Sequence, residues 1–158
     1  MHVPILRWGE PYESLDVDHV IHFESGERLA EVSRANPGLL IRDMRQAQRA
    51  REVLRHIPIF ELCGRLGTAA DAYLNGTVGG TTPQEFIHLQ AATTGLPEHL
   101  CRLNMEKLHH VLTNLERIIG SLTRGLPAEA LTDGRTIEDG VTRSRQATSP
   151  VLGLVLPS

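Results

Sequence analysis

The sequence predicts an α/β fold: a β-hairpin, then four helices, then an apolar strand of a parallel sheet. Three observations predict it. Two short apolar runs, Val17–Phe23 and Leu29–Val32, flank a Ser25-Gly26 turn. Helix-start signals at Asn36-Pro37, Thr82-Pro83-Gln84-Glu85 and Pro97 precede apolar residues spaced three and four apart. The continuous run Val151–Leu156, counting Gly153, has the character of a strand buried on both faces.

The hairpin rests on Gly26, because a tight turn between strands needs positive φ. Asn36 accepts from the free amides of a first helical turn, and Pro37 loses nothing at a position whose N–H is unpaired. Leu40, Met44, Ala47, Val53 and Leu54 form a rough inward stripe that ends at His56-Ile57-Pro58. A second helix, about Pro58 to Leu74, turns Ile59, Leu62, Cys63, Leu66, Ala69, Ala70 and Tyr73 inward. Asn75 to Gly80 reads as a flexible loop. Thr82 and Glu85 satisfy the capping-box spacing, which opens a third helix to about Thr93 with Gly95 as its stop. The fourth helix, about Pro97 to Leu122, carries Leu100, Leu103, Leu108, Val111, Leu112, Leu115, Ile118, Ile119 and Leu122. Beyond Leu126-Pro127 the chain turns polar, with Asp133-Gly134 and Asp139-Gly140 as turns and Thr136, Ile137, Val141 and Thr142 as short-strand residues.

At 158 residues the chain is long enough for one domain with a core. A net charge of -3, with acids and bases interleaved, argues against nucleic-acid binding. No apolar run approaches the roughly 20 residues that span a bilayer, and Met1–Arg7 lacks the core of a signal peptide, so a cytoplasmic protein with no membrane contact is expected. Cys63 and Cys101 sit among apolar residues and are read as buried, reduced thiols. His19 and His22 are three apart, which on a strand points them to opposite faces. His109 and His110 stand about 100° apart on a helix, and Glu106 with His110 reads as an exposed polar pair. No metal site is expected.

In order and spacing, these pieces resemble the aldehyde dehydrogenase superfamily over nearly the whole chain. Its opening hairpin, "P-x-x-G-E-x-x-A-x-V", is similar to Phe23-Glu24-Ser25-Gly26-Glu27-Arg28-Leu29-Ala30-Glu31-Val32. Its Ala- and Arg-rich helix pair is similar to residues 37–74, and its "E-T-G-K-P" joint to Thr93-Thr94-Gly95-Leu96-Pro97. Its "P-x-G-V-V-G-x-I-x-P-W-N" strand is similar to Pro150 through Ser158. Leu96 replaces the usual Lys, and Ser158 stands where the family usually has Trp. With the opening Trp8-Gly9-Glu10-Pro11-Tyr12, these departures point to the acyl-CoA reductase branch.

The resemblance implies an N-terminal, cofactor-side portion of a larger NAD(P)-dependent oxidoreductase with a Rossmann-like sheet, acting on an aldehyde or acyl thioester. It implies a cysteine nucleophile, an asparagine for the oxyanion and a glutamate that activates water in hydrolytic members. The asparagine would follow Ser158, and the others would lie further on. Neither Cys63 nor Cys101 matches the nucleophile, so no catalytic residue is assigned. Val155, Leu156, Pro157 and Ser158 would form one wall of the cofactor cleft. NAD or NADP would bind the parent, and neither is expected on this chain alone. A homo-oligomer is implied, with residues 132–147 as its arm. A terminal core strand without neighbours also suggests a fragment, or a chain that pairs with another. The alternative is a non-enzymatic helical module whose apolar faces bind a partner protein.

Overall fold

The N-terminal twelve residues fold into three short strands: β1 (His2–Val3), β2 (Ile5–Arg7) and β3 (Glu10–Tyr12). This is a computed structural model, and it describes residues 1–144. β2 and β3 form a hairpin closed by Trp8 and Gly9, with φ of 58° and 87°. Two consecutive positive φ values match the right-handed twist of the flanking strands. The predicted hairpin follows as β4 (Val17–Ile21) and β5 (Arg28–Ser33), antiparallel from Val17↔Ser33 to Val20↔Ala30, with an irregularity before Ile21↔Arg28. Its turn closes where the His22 N–H donates to Glu27 O, and the imidazole Nδ1 accepts from the N–H groups of Glu24 and Ser25. β1 adds parallel to the free edge of β5, giving a sheet in the order β1-β5-β4.

Asn36 caps α1 (Pro37–Met44) by accepting from the Leu39 N–H at 2.8 Å. The single helix expected from Pro37 to the His56-Ile57-Pro58 break is two: α1 stops at Met44 and α2 (Ala47–Arg55) restarts after Arg45-Gln46. Its expected inward stripe is also corrected. Leu39 is the buried residue of α1 and α2 has none, whereas Leu40, Met44, Val53 and Leu54 are exposed. These helices touch each other at few residues and the body at few, so hydropathy alone does not turn their apolar residues inward.

α3 (Ile59–Asn75) buries Cys63 and Ala70, while Leu66 and Ala69, read as inward, are exposed. The expected loop after α3 carries a closed turn. Val78 and Thr81 exchange backbone hydrogen bonds of 3.0 Å across Gly79-Gly80. α4 (Pro83–Thr94) opens on the predicted capping box, with Thr82 accepting from Glu85 N–H and Glu85 accepting from Thr82 N–H, and ends at left-handed Gly95. The predicted fourth helix is divided at Asn114 into α5 (Glu98–Thr113) and α6 (Leu115–Leu122). Asn114 Nδ2 donates to His110 O, and Thr113 Oγ1 donates to His109 O. Side chains that bond to carbonyls one turn back compete with the helical ladder.

The core lies where α3, α4 and α5 meet. Ile87, Cys101 and Met105 are fully buried, with Tyr73, Leu74, Phe86 and Ala91 packed around them. The rings of Tyr73 and Phe86 meet edge-on at 5.6 Å. Complete burial of Met105 contributes on the order of 1.5–3 kcal/mol. The expected face of α5 is therefore rotated: Leu100, Leu103, Leu108 and Val111 are exposed, as is Leu122 at the end of α6. A short α7 (Glu129–Thr132) leads into a hairpin of β6 (Arg135–Glu138) and β7 (Val141–Ser144), closed by the predicted Asp139-Gly140 turn with φ of 49° and 75°. The described residues thus carry seven helices, not four, and three small sheets. The apolar run Val151–Leu156 lies outside them. No described helix is long and apolar enough to cross a membrane.

Candidate functional site

The residues expected to line a cofactor cleft, Val155, Leu156, Pro157 and Ser158, lie outside the described residues. The described part holds several polar arrangements built by tertiary contact. The first is a row across the three-stranded sheet. His2 and His19 both register with Glu31, one from each neighbouring strand. Their Nδ1 atoms stand 3.6 Å and 3.8 Å from its carboxylate, and Arg28 also pairs with Glu31. His2 Nε2 lies 2.9 Å from Ser33 Oγ, which accepts from Ser14 N–H. His19 converges with His2, a residue that spacing along one strand never brings into view. His22 instead braces its own turn.

The second arrangement ties α4 to α5. His88 Nδ1 is 3.0 Å from Glu98 Oε1, Gln84 Nε2 donates to Glu98 Oε2, and Arg102 donates to Gln84 Oε1. A groove of about 670 Å³ runs beside it, lined by Met1, Gly79-Gly80, Gln84, His88 and Glu98 among others. An imidazole–carboxylate pair can move a proton when a reacting group sits within hydrogen-bond reach. Thr82, the hydroxyl beside Glu85, is committed to the cap. The His88–Glu98 contact joins α4 to α5.

The third is the Arg7–Asp43 fork, two bonds of 2.7 Å and 2.6 Å that fasten α1 to the β2–β3 hairpin. Hydrogen bonds from Arg7 hold the Asp43 carboxyl below the usual carboxylate range, and Asp43 in turn raises Arg7. His109 Nε2, read as one of two adjacent helical imidazoles, reaches across to Asp71 at 2.7 Å and joins α5 to α3.

The two thiols are free and buried. Burial, with the Glu116 charge second, pushes the Cys63 thiol up. Cys101 is walled in by Ile87 and Met105. A nucleophilic cysteine needs an accessible, electropositive setting that favours thiolate, and neither position supplies one. Among the described residues no group of three or more His, Cys, Asp or Glu side chains is placed to hold a metal ion. The sequence signals that foreshadow the His88–Glu98 and His109–Asp71 pairs are only the residues themselves, since the partners stand 10 and 38 residues apart.

No protein-family model matches the chain, and no curated protein matches it either.

Proposed function

We propose that this chain is the N-terminal, cofactor-side part of an NAD(P)-dependent oxidoreductase of the aldehyde dehydrogenase superfamily, either an aldehyde dehydrogenase or an acyl-CoA reductase. The whole protein acts on an aldehyde or an acyl thioester. The observation that carries this reading is four motif-like stretches in one order: 23–32, 37–74, 93–97 and 150–158. Two of them touch in space, which supports their belonging to one framework. The Phe23 N–H donates to Ala92 O at 2.9 Å, and the Phe23 ring lies over Gly95. Buried Cys63 and Cys101 fit a scheme whose nucleophile lies elsewhere.

In this reading residues 150–156 are a strand of a Rossmann-like sheet, and Val155–Ser158 face the nicotinamide end of NAD or NADP. Residues 132–147 are an oligomerisation arm, a role supported by the β6–β7 hairpin and its exposed Ile137 and Val141. Pyrophosphate binding in such folds uses a G-x-G-x-x-G turn at a helix N-terminus, a spacing that this sequence does not contain; the Gly79-Gly80 turn before α4 departs from it. The 158-residue chain alone therefore binds nicotinamide cofactors weakly and turns over no aldehyde.

The test is to read the gene beyond the codon for Ser158 and assay the full-length product. The reading expects Asn next, a glycine-rich turn and a cysteine further on, and NAD(P)-linked turnover that is lost with that cysteine. Removing residues 132–147 from that product is expected to yield monomers by light scattering. A stop codon after Ser158, or a full-length product that neither binds nor uses nicotinamide cofactors, overturns it. The second reading, a non-enzymatic helical module that binds a protein partner, would then stand on the exposed Leu40, Ile41, Met44 and Val53 of α1–α2.

A further inference from the structure

We propose that the cleft between α2, the start of α3 and α7 binds an amphiphilic anion: an alkyl chain carrying one carboxylate or phosphate head. This goes beyond the oxidoreductase reading and does not depend on it. The cleft has a volume of about 460 Å³, and its walls are mainly Trp8, Leu54, Ile57, Ile59, Leu62 and Leu131. It exists because α2 presents Ala47 and Ala50 there, two side chains too small to fill the space, and buries none of its own residues. Its size falls within the roughly 300–1,000 Å³ of ordinary small-ligand sites.

The chemistry of the lining selects the occupant. A peptide laid in the cleft would bring backbone donors and acceptors that need partners, at a cost of about 1–3 kcal/mol for each left unpaired. Besides two arginines, the polar side-chain groups of the lining are the Thr132 hydroxyl and the Trp8 indole N–H, and the indole is already hydrogen-bonded to Asp43. A hydrocarbon has no such requirement. The arginines are Arg51 and Arg55, and both lean on one carboxylate, Glu52, at 3.8 Å and 3.2 Å. Two guanidiniums sharing one carboxylate leave a formal positive charge at the cleft. No acidic side chain lines it among the described residues. Guanidinium forks match carboxylate and phosphate oxygens in geometry as well as charge. An apolar trough with a net cation beside it fits a tail and an anionic head.

Trp8, the single tryptophan of the chain, forms part of the wall and is half exposed, so its emission reports occupancy directly. The 158-residue chain is titrated with dodecanoate, dodecyl phosphate and dodecylammonium, each below its micelle concentration. We expect a saturable one-to-one blue shift with the anions and at least tenfold weaker binding of the cation. The tighter of the two anions identifies the head group. Arg51→Gln with Arg55→Gln should weaken the anions about tenfold and bring them level with the cation, and Ala50→Phe should abolish the shift. Circular dichroism checks that each variant is folded. Should Ala50→Phe unfold, the exposed Arg55→Gln change alone carries the test. No saturation, equal affinity for the cation in the unaltered chain, or a shift that follows protein concentration without ligand overturns the proposal.

Discussion

The ring of Phe23 covers the α-carbon of Gly95 so closely that a β-carbon built there would stand 3.1 Å from Phe23 Cδ2. Gly95 also ends α4 at φ +74°, where a side chain is strained whatever the space around it. Gly95→Ala should therefore destabilise the chain by more than the about 1–2 kcal/mol that left-handed backbone alone costs an L-residue. Urea unfolding measures this. In a Phe23→Ala background the penalty should shrink to the backbone part, and equal penalties in both backgrounds would show that the ring simply moves aside.

Two carboxylates give the fold an acid-sensitive component. Asp43 is held low by hydrogen bonds from Arg7, and Glu85 is held low by the Thr82 N–H and then its hydroxyl. A depressed folded value means that the unfolded chain binds more protons through the titration range, so stability rises with pH. Their contribution is complete above the ordinary carboxylate range, near pH ~4, and is lost as pH falls through the depressed folded values. Urea midpoints should fall on acidification across this range, and the slope should flatten in an Asp43→Asn, Glu85→Gln double variant.

The rotated face of α5 gives a sharp pair of expectations. Met105→Ala empties a site of zero exposure at the junction of three helices and should cost about 2–5 kcal/mol. Leu103→Ala removes a side chain that is 55% exposed and should change stability by less than about 0.5 kcal/mol. Thermal unfolding of the two variants decides between the observed face and the one the leucines suggest.

That reversal marks the boundary of what was legible. Local chemistry read well: the Asn36 and Thr82 caps, the Gly95 stop and the Asp139-Gly140 turn all form as expected, because each depends on atoms a few residues apart. The choice of face did not. α5 carries one apolar series through Leu100 and Leu103 and another through Cys101 and Met105. Periodicity establishes a helix but cannot say which series meets α3 and α4. The helix breaks were missed for a related reason, since Asn114 is an ordinary helical residue until its side chain finds His110 O. The polar arrangements were the least legible. The parallel β1–β5 pairing brings His2 to Glu31, and the β2–α1 contact brings Arg7 to Asp43, and neither pairing leaves a mark in a single sequence.

The thiols provide a direct measure of core opening. Both are buried, and Cys63 is further disfavoured as thiolate. A disulfide reagent should label them at least about a hundredfold slower than a free thiol in native buffer, since access requires an opening of a few kcal/mol. Both should react at once in denaturant. Rapid native labelling would place at least one thiol at the surface.

The slack attachment of α1 and α2 gives the molecule a seam. One buried leucine, one capped end and the Arg7–Asp43 fork hold nineteen residues, 37–55, in which Arg42, Arg45 and Arg49 lie open to solvent. Such a segment unfolds locally at a small fraction of the global cost. Sparing digestion with trypsin should therefore cut within this stretch first, releasing a protease-resistant body that begins near Ile57 and retains the α3–α4–α5 junction. The order of bands on a gel would amount to a map of where this chain yields first.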